Sequence, residues 1–222
     1  MKTIILAAGV GSRLGSTIPK GLIKLPNDES ILGRQIRILK SMNLDDITVV
    51  VGYKKEQIMT PFKNVKFRVN PDYDSTNTAK SLLCAIKKFN DDVLWMNGDI
   101  VYDEEIIALI KSQECNTAVV NIAVCGEEEV KYLTDERGNI NAISKEIKKG
   151  RGEALGINLV IKESLKEFIS ALQECNNNDY FERAMQLAIN NHIIIKPLDV
   201  SRFRCIEIDN KEDLKKARDL FR

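Results

Sequence analysis

Residues 6–14 read Leu6-Ala7-Ala8-Gly9-Val10-Gly11-Ser12-Arg13-Leu14, and Pro19-Lys20 follows after a spacer of four residues. The run before it, Lys2 to Leu6, is short, apolar and β-branched, which predicts a buried strand opening an α/β domain. Gly9 and Gly11 allow backbone conformations closed to other residues, so a run of N–H groups can converge on a phosphate. Arg13 adds a fork of donors matched to phosphate oxygens, and Lys20 adds a mobile point charge. Two glycines alone would fit an ordinary strand-to-helix turn; the two cations change the balance. Position 14 is Leu, so the dinucleotide fingerprint is not met, and no Gly-Lys-Ser/Thr closes a Walker loop.

The rest of the chain continues the alternation expected of a parallel sheet with crossover helices. Helical spacing of apolar residues runs over 31–42, 77–89 and 103–110. Strand-like runs occupy 47–51, 65–69, 93–96 and 118–124. From about residue 127 the pattern changes, and 131–144, centred on Arg137-Gly138-Asn139, predicts a hairpin. A strand is expected at 153–161, helices at 165–172 and 180–189, short strands at 192–195 and 205–208, and a closing helix at 211–221. The expectation is one domain over 1–222, with 127–160 as an elaboration within it.

Composition narrows the function classes. Among 222 residues, 33 Lys plus Arg balance 32 Asp plus Glu, so no basic field favours nucleic acid or an anionic membrane surface. The five cysteines are scattered with no CxxC, which argues against a disulfide framework or a zinc site. There is neither the long apolar run of a signal peptide nor a stretch of about 20 apolar residues to cross a bilayer. A soluble cytoplasmic protein is expected, monomeric or homodimeric. The single histidine, His192, stands far from the glycine loop and Gly-x-Ser-x-Gly is absent, so a Ser-His-Asp hydrolase has little support.

Asp99, in Asn97-Gly98-Asp99, follows a central strand, where open α/β sheets place ligands. Asp209, in Ile206-Glu207-Ile208-Asp209, ends another strand. It reads either as a second carboxylate for a metal or as the cap of the last helix. Asn77 and Ser81 read either as pocket residues or as a helix cap and a surface hydroxyl. Asp103 reads as a helix cap.

The loop Leu-Ala-(Ala/Gly)-Gly-x-Gly-(Ser/Thr)-Arg-(Leu/Met), a spacer and Pro-Lys resembles the signature of sugar-phosphate pyrophosphorylases and cytidylyltransferases, with every element present. That resemblance implies a Rossmann-like three-layer sandwich with a mostly parallel mixed sheet and a small antiparallel elaboration. It also implies a magnesium-dependent nucleotidyltransferase. Leu6, Ala7, Ala8, Gly9, Gly11 and Ser12, with Asn77, Ser81 and Gly98, would hold the nucleotide. Arg13 would contact the departing phosphates, Lys20 would stabilise the α-phosphate, and Asp99 and Asp209 would ligate Mg2+.

The segment Asn70 to Leu82 resembles the branch that includes phosphocholine cytidylyltransferases and related bacterial surface-polymer enzymes. The short spacer resembles polyol-phosphate cytidylyltransferases. Together they imply CTP and a small phosphorylated alcohol as substrates: phosphocholine, phosphoethanolamine or a polyol phosphate. Lys145, Glu153 and Asn158 fall where the family holds its acceptor. Two alternatives are a sugar-1-phosphate nucleotidyltransferase using UTP, GTP or dTTP, and a nucleotide-binding regulatory module without turnover.

Overall fold

The computed structural model describes residues 1–11, 14–15, 17–123 and 125–222. Four parallel strands open the chain: β1 (Lys2–Ala7), β2 (Ile47–Val51), β3 (Lys66–Val69) and β4 (Val93–Asn97). Every residue of β2, and Val93 to Met96 in β4, is buried, as near-continuous apolar runs must be in a sheet covered on both faces. Helices α1 (Ile31–Ser41), α2 (Lys55–Met59) and α3 (Thr78–Ile86) connect them. Ser30 starts α1, its Oγ accepting from the Gly33 N–H at 3.1 Å, and Asn43, at φ 58°, ends it. The Leu44 and Asn43 N–H groups then bond the Leu39 and Lys40 carbonyls, a left-handed C-terminal closure.

The remaining elements are β5 (Ile100–Tyr102), α4 (Glu104–Lys111), β6 (Thr117–Val120), β7 (Lys131–Thr134), β8 (Ile140–Ser144), β9 (Gly152–Val160), α5 (Lys162–Glu174), α6 (Phe181–Asn190), β10 (Lys196–Asp199), β11 (Cys205–Glu207) and α7 (Lys211–Leu220). The main sheet runs β10-β6-β9-β4-β1-β2-β3, and β7 joins β8 to β9. β9 is antiparallel to both its long neighbours, β4 and β6, whereas the pairs from β4 to β3 are all parallel. The expected mixed, mostly parallel sheet is therefore present, and the hairpin at 131–144 is β7 and β8.

Side chains alternate across the sheet. On one face Ile4, Leu6 and Trp95 pack with Leu82 of α3, Phe168 of α5 and Phe181 of α6. Trp95 stacks on Phe168 at 5.1 Å between ring centroids and meets Phe181 edge-on at 5.8 Å. On the other face Ile5, Val49 and Met96 pack with Leu39 of α1, Ile58 of α2 and Ile107 of α4. Two helical layers thus enclose the sheet, each fully buried aliphatic or Phe side chain contributing about 1.5–3 kcal/mol.

Two strand expectations change. The one at 118–124 ends at Val120. The strand expected at 192–195 is instead β10, beginning at Lys196. His192 adopts φ 68°, and the Ile193 N–H reaches back to the Ala188 carbonyl at 3.0 Å, so these residues close α6. The last helix is capped by Asn210, whose side chain accepts from the Glu212 and Asp213 N–H groups while Asp213 closes the box. Asp209 is thereby released from the capping role. Among the described residues, no helix is long and apolar enough to cross a membrane.

Candidate active site

The order β3-β2-β1-β4 reverses direction between β1 and β4, and in open α/β sheets ligands bind in the crevice outside the strand ends at such a point. Asp99 sits there. Its turn is held from beneath by Gln35 of α1, a side chain 1% exposed. The Gln35 amide Nε2 donates to the Asn97 and Ile100 carbonyls, both at 2.9 Å. An antiparallel ribbon, β5 with β11, then carries the chain end to the same place. It pairs Glu207 with Ile100 and Ile206 with Val101, and the Ile208 N–H bonds the Asp99 carbonyl at 3.0 Å.

The result is a triad of carboxylates. Asp99, Glu207 and Asp209 each place an oxygen within 4.8 Å of the others. Lys20 spans two of them, its Nζ donating to Asp99 Oδ2 at 2.9 Å and to Asp209 Oδ1 at 2.7 Å. Burial works against the Lys20 ammonium, but Asp99 and Asp209 outweigh it and raise its pKa. Burial, and then the charges of Asp99 and Asp209, hold the Glu207 carboxyl well above the usual carboxylate range. Asn97 Nδ2 donates to Glu207 Oε1 at 3.3 Å. A set of three carboxylates with excess negative charge and only oxygen donors suits a hard divalent cation such as Mg2+. The Lys20 ammonium occupies the position of a positive charge between two of its members.

The glycine loop roofs this cluster. Gly11 has φ 65°, and a Cβ there would come within 2.7 Å of Lys20 Cγ, so the loop and the lysine stem fit only without a side chain. Below it, Leu6, Ala7, Gly9, Gly11, Lys20, Gly21, Gly98 and Asp99 line a cavity of about 130 Å³. This opens beside a larger cleft of about 400 Å³ that shares Leu6, Gly9 and Asp99 and extends to Lys145, Glu153 and Glu182. The far wall is shaped by a β-bulge. Between Ala118/Asn158 and Val120/Ala154 the β6 to β9 register shifts, and Gly156, at φ 66°, stands where a Cβ would approach Asn97 Nδ2 to 2.7 Å. Bulges re-aim strands beside sites in this way.

Of the residues singled out from sequence, Leu6, Ala7, Gly9, Gly11, Lys20, Gly98, Asp99, Lys145, Glu153 and Asp209 line one or both cavities. Ala8 is buried behind the loop, its carbonyl accepting from the Tyr53 N–H at 3.0 Å. Ser12 and Arg13 lie outside the described residues. Asn77, Ser81 and Asn158 are not brought into either cavity. Asn77 caps α3 by accepting from the Thr78 N–H at 2.8 Å, Ser81 is buried against Asn70 Nδ2 at 3.0 Å, and Asn158 faces the interior at 2% exposure. Asp103 precedes α4 but binds the Arg204 guanidinium at 2.7 Å rather than capping the helix.

Three residues escaped the sequence reading: Glu207, Gln35 and Glu182. For Glu207 the signal was present, since strand residues two apart share a face and Glu207 therefore accompanies Asp209. Glu153 accepts from Asn121 Nδ2 at 3.0 Å, and burial pushes its carboxyl pKa upward.

This sheet order, with a glycine cradle beside an acidic cluster at the reversal, defines a nucleotide-diphospho-sugar transferase fold. The CTP:phosphocholine cytidylyltransferase of Streptococcus pneumoniae matches with a TM-score of 0.81 at 19% identity, covering 100% of this chain and 99% of that one. The inositol-1-phosphate CTP transferase of T. maritima also gives 0.81 at 19%, covering 99% and 94%. More particularly, residues 3–183 match the MobA-like NTP transferase domain, and the chain belongs to that family. Among curated relatives, the CTP:phosphoglutamine cytidylyltransferase of Campylobacter jejuni is 32% identical over 56% of this chain and 54% of its own length. The CMP-5'-(3-aminopropyl)phosphonate synthase of Streptomyces rubellomurinus is 24% identical over 98% of this chain and 38% of its own length. A bifunctional GlmU protein of Methanococcus aeolicus is 32% identical over 54% of this chain, and the match spans 30% of that protein. The chain thus covers about half or less of the length of the curated relatives it matches.

Proposed function

We propose that this protein is a magnesium-dependent cytidylyltransferase that joins CTP to a small phosphorylated alcohol, giving a CDP-linked product and pyrophosphate. The observation that carries this reading is Lys20 held between Asp99 and Asp209, with Glu207 beside them, at the mouth of the glycine loop. The choice of cytosine is supported by relatives named for CTP or CMP transfer and by the short loop spacer.

In this reading an oxygen of the acceptor's phosphate attacks the α-phosphorus of CTP. One P–O bond forms, the α–β P–O bond breaks, and pyrophosphate leaves with the electron pair. The backbone N–H groups around Gly9 and Gly11 orient the triphosphate, and Arg13 takes the departing phosphates. Lys20, on a stem fixed against Gly11, places a positive charge where negative charge builds up on the α-phosphate; preorganised groups of this kind contribute most when charge develops. Asp99, Glu207 and Asp209 would hold the metal, which when bound offsets the charge of triphosphate and acceptor. Gln35 keeps Asp99 in register. Lys145 and Glu153 lie on the acceptor side. Such an enzyme would draw CTP from the cytoplasm.

A pyrophosphate-release screen tests the reading, with four nucleoside triphosphates against phosphocholine, phosphoethanolamine, glycerol phosphate, ribitol phosphate and hexose phosphates. Release with CTP and at least one alcohol phosphate, dependent on Mg2+, is expected. Binding of CTP with no release across the panel would sink it.

A further inference from the structure

The cleft holds a carboxylate that the reaction as described does not use. Glu182 stands in the first turn of α6, 8% exposed, and lines the 400 Å³ cleft with Thr78, Lys145, Tyr180 and Glu207. Its Oε2 is shut off from solvent and, among the described residues, has no hydrogen-bond partner. Its own backbone N–H helps hold the charged form, yet burial dominates and raises its carboxyl pKa to about 7. A buried carboxylate oxygen without a donor is costly and uncommon in a native fold. The nearby cation does not resolve it. Lys145 favours the Glu182 charge through space, but its Nζ lies 4.8 Å from the centroid of the Tyr180 ring and leaves Oε2 without a donor.

A second acidic group repeats the pattern. Glu129 lines the same cleft as Glu153, its Oε2 is likewise shut off from solvent without a partner among the described residues, and it lies near enough to raise the Glu153 carboxyl further. Setting aside the triad of Asp99, Glu207 and Asp209, and Asp213 of the α7 cap, the described residues of this cleft still present Glu128, Glu129, Glu153 and Glu182 against Lys145.

We infer that the acceptor carries a primary ammonium group and that Glu182 receives it, making Glu182 a specificity-determining residue. This rests on the cytidylyltransferase reading. An ammonium of the –NH3+ type brings three donors and a positive charge, and both deficits are met once the Glu182 carboxylate turns its buried Oε2 towards the cleft that the residue lines. A quaternary ammonium brings charge but no N–H, and is held by aromatic cages. Among the described residues, Tyr180 is the one aromatic residue lining this cleft, and Lys145 already lies over its ring. Hydroxyls of a polyol donate a hydrogen bond but leave the surplus negative charge uncompensated.

The test compares kcat/KM with CTP and Mg2+ for phosphoethanolamine, for ethylene glycol monophosphate, which replaces –NH3+ by –OH, and for phosphocholine. For the wild type the amine is preferred over the hydroxyl by at least about tenfold, the range of a charge-assisted hydrogen bond, and is also preferred over phosphocholine. In Glu182→Gln that ratio collapses towards one, the loss falling chiefly in KM for the amine. Glu182→Asp, with the charge on a shorter stem, keeps an intermediate ratio. An unchanged ratio in Glu182→Gln overturns the inference, as does a wild type that prefers the hydroxyl or phosphocholine. If Glu182→Gln does not fold, the wild-type ratios and Glu182→Asp decide. Turnover of neutral acceptors alone removes the ammonium site and leaves the cytidylyltransferase reading standing. Silence with every nucleotide and acceptor removes both.

Discussion

Lys20 Nζ and Asp209 Oδ1 lie 2.7 Å apart although 189 residues separate them in sequence. The contact joins the segment after the glycine loop to the segment after β11, and it sets a cation of a kind suited to phosphates against carboxylates that suit a metal. The same ammonium is 2.9 Å from Asp99. Under the proposed function a metal held by Asp99, Glu207 and Asp209 would share two of these carboxylates with Lys20, and the lysine would then be free to turn towards substrate.

Replacing Lys20 by Ala therefore separates binding from chemistry. We expect kcat to fall at least about a hundredfold, the scale of losing one preorganised charge-stabilising group, with CTP affinity changed much less. Comparable losses in kcat and affinity would make Lys20 a ground-state binder instead.

Glu207 gives a test independent of turnover. Mg2+ or Mn2+ at a hundred times its dissociation constant stabilises a folded protein by about 2.7 kcal/mol, so thermal unfolding of the nucleotide-free wild type shifts upward with metal. Glu207→Gln and Asp99→Asn should each lose most of that shift. A full shift in either variant places the metal elsewhere.

Gln35 acts through the position of Asp99. Gln35→Leu leaves the Asn97 and Ile100 carbonyls without their donor, and costs about 2–3 kcal/mol at about 1 kcal/mol or more for each lost bond. Turnover should drop alongside, because the Asp99 turn loses its support. Stability lost with kcat preserved would show that the turn holds without the clamp.

The pH dependence of stability reports on Glu182. Its carboxyl ordinarily titrates at 4.5 and in the fold at about 7, so the folded state binds this proton more tightly than the unfolded chain. The contribution is complete below pH 4.5 and is lost as pH rises through 7, amounting to about 3 kcal/mol by the linkage relation. Lys145 is the charged group that acts on it, and Glu182 in turn raises the Glu207 carboxyl; both partners are unaltered in Glu182→Gln. In the metal-free protein, wild-type stability should fall relative to Glu182→Gln between pH 4.5 and 8, measured by denaturant unfolding. Parallel curves would show that Glu182 titrates normally.

Much of this architecture was legible in the chain because its strands are buried on both faces. Ile47 to Val51 and Val93 to Met96 carry no polar interruption except Thr48, so their identity and their place in a parallel sheet follow from composition alone. Asp99 followed from its place beyond such a strand. The misplaced strand at 192–195 arose because Ile193, Ile194 and Ile195 satisfy a strand pattern, while the closure of α6 through His192 depends on backbone hydrogen bonds that no side chain announces. Asn77 and Ser81 matched a motif; in the fold Asn77 caps α3 and donates to the Asn178 carbonyl, and Ser81 accepts from Asn70. Gln35 and Glu182 were invisible for a related reason: each is a polar residue on a helix, and only the packed sheet beneath reveals that it faces a turn or a cleft rather than water.

The β5–β11 ribbon has a consequence for how the molecule is made. The glycine cradle and Asp99 belong to the first half of the chain and depend on contacts among β1 to β4, whereas Glu207 and Asp209 arrive only when the segment pairing with residues 100–102 has been synthesised. A ribosome-bound chain ending short of Cys205 would carry the glycine loop with Asp99 alone of the three carboxylates beside it. It would lack two of the three carboxylates suited to a metal, so under the proposed function the site would be complete only once residues 205–209 dock.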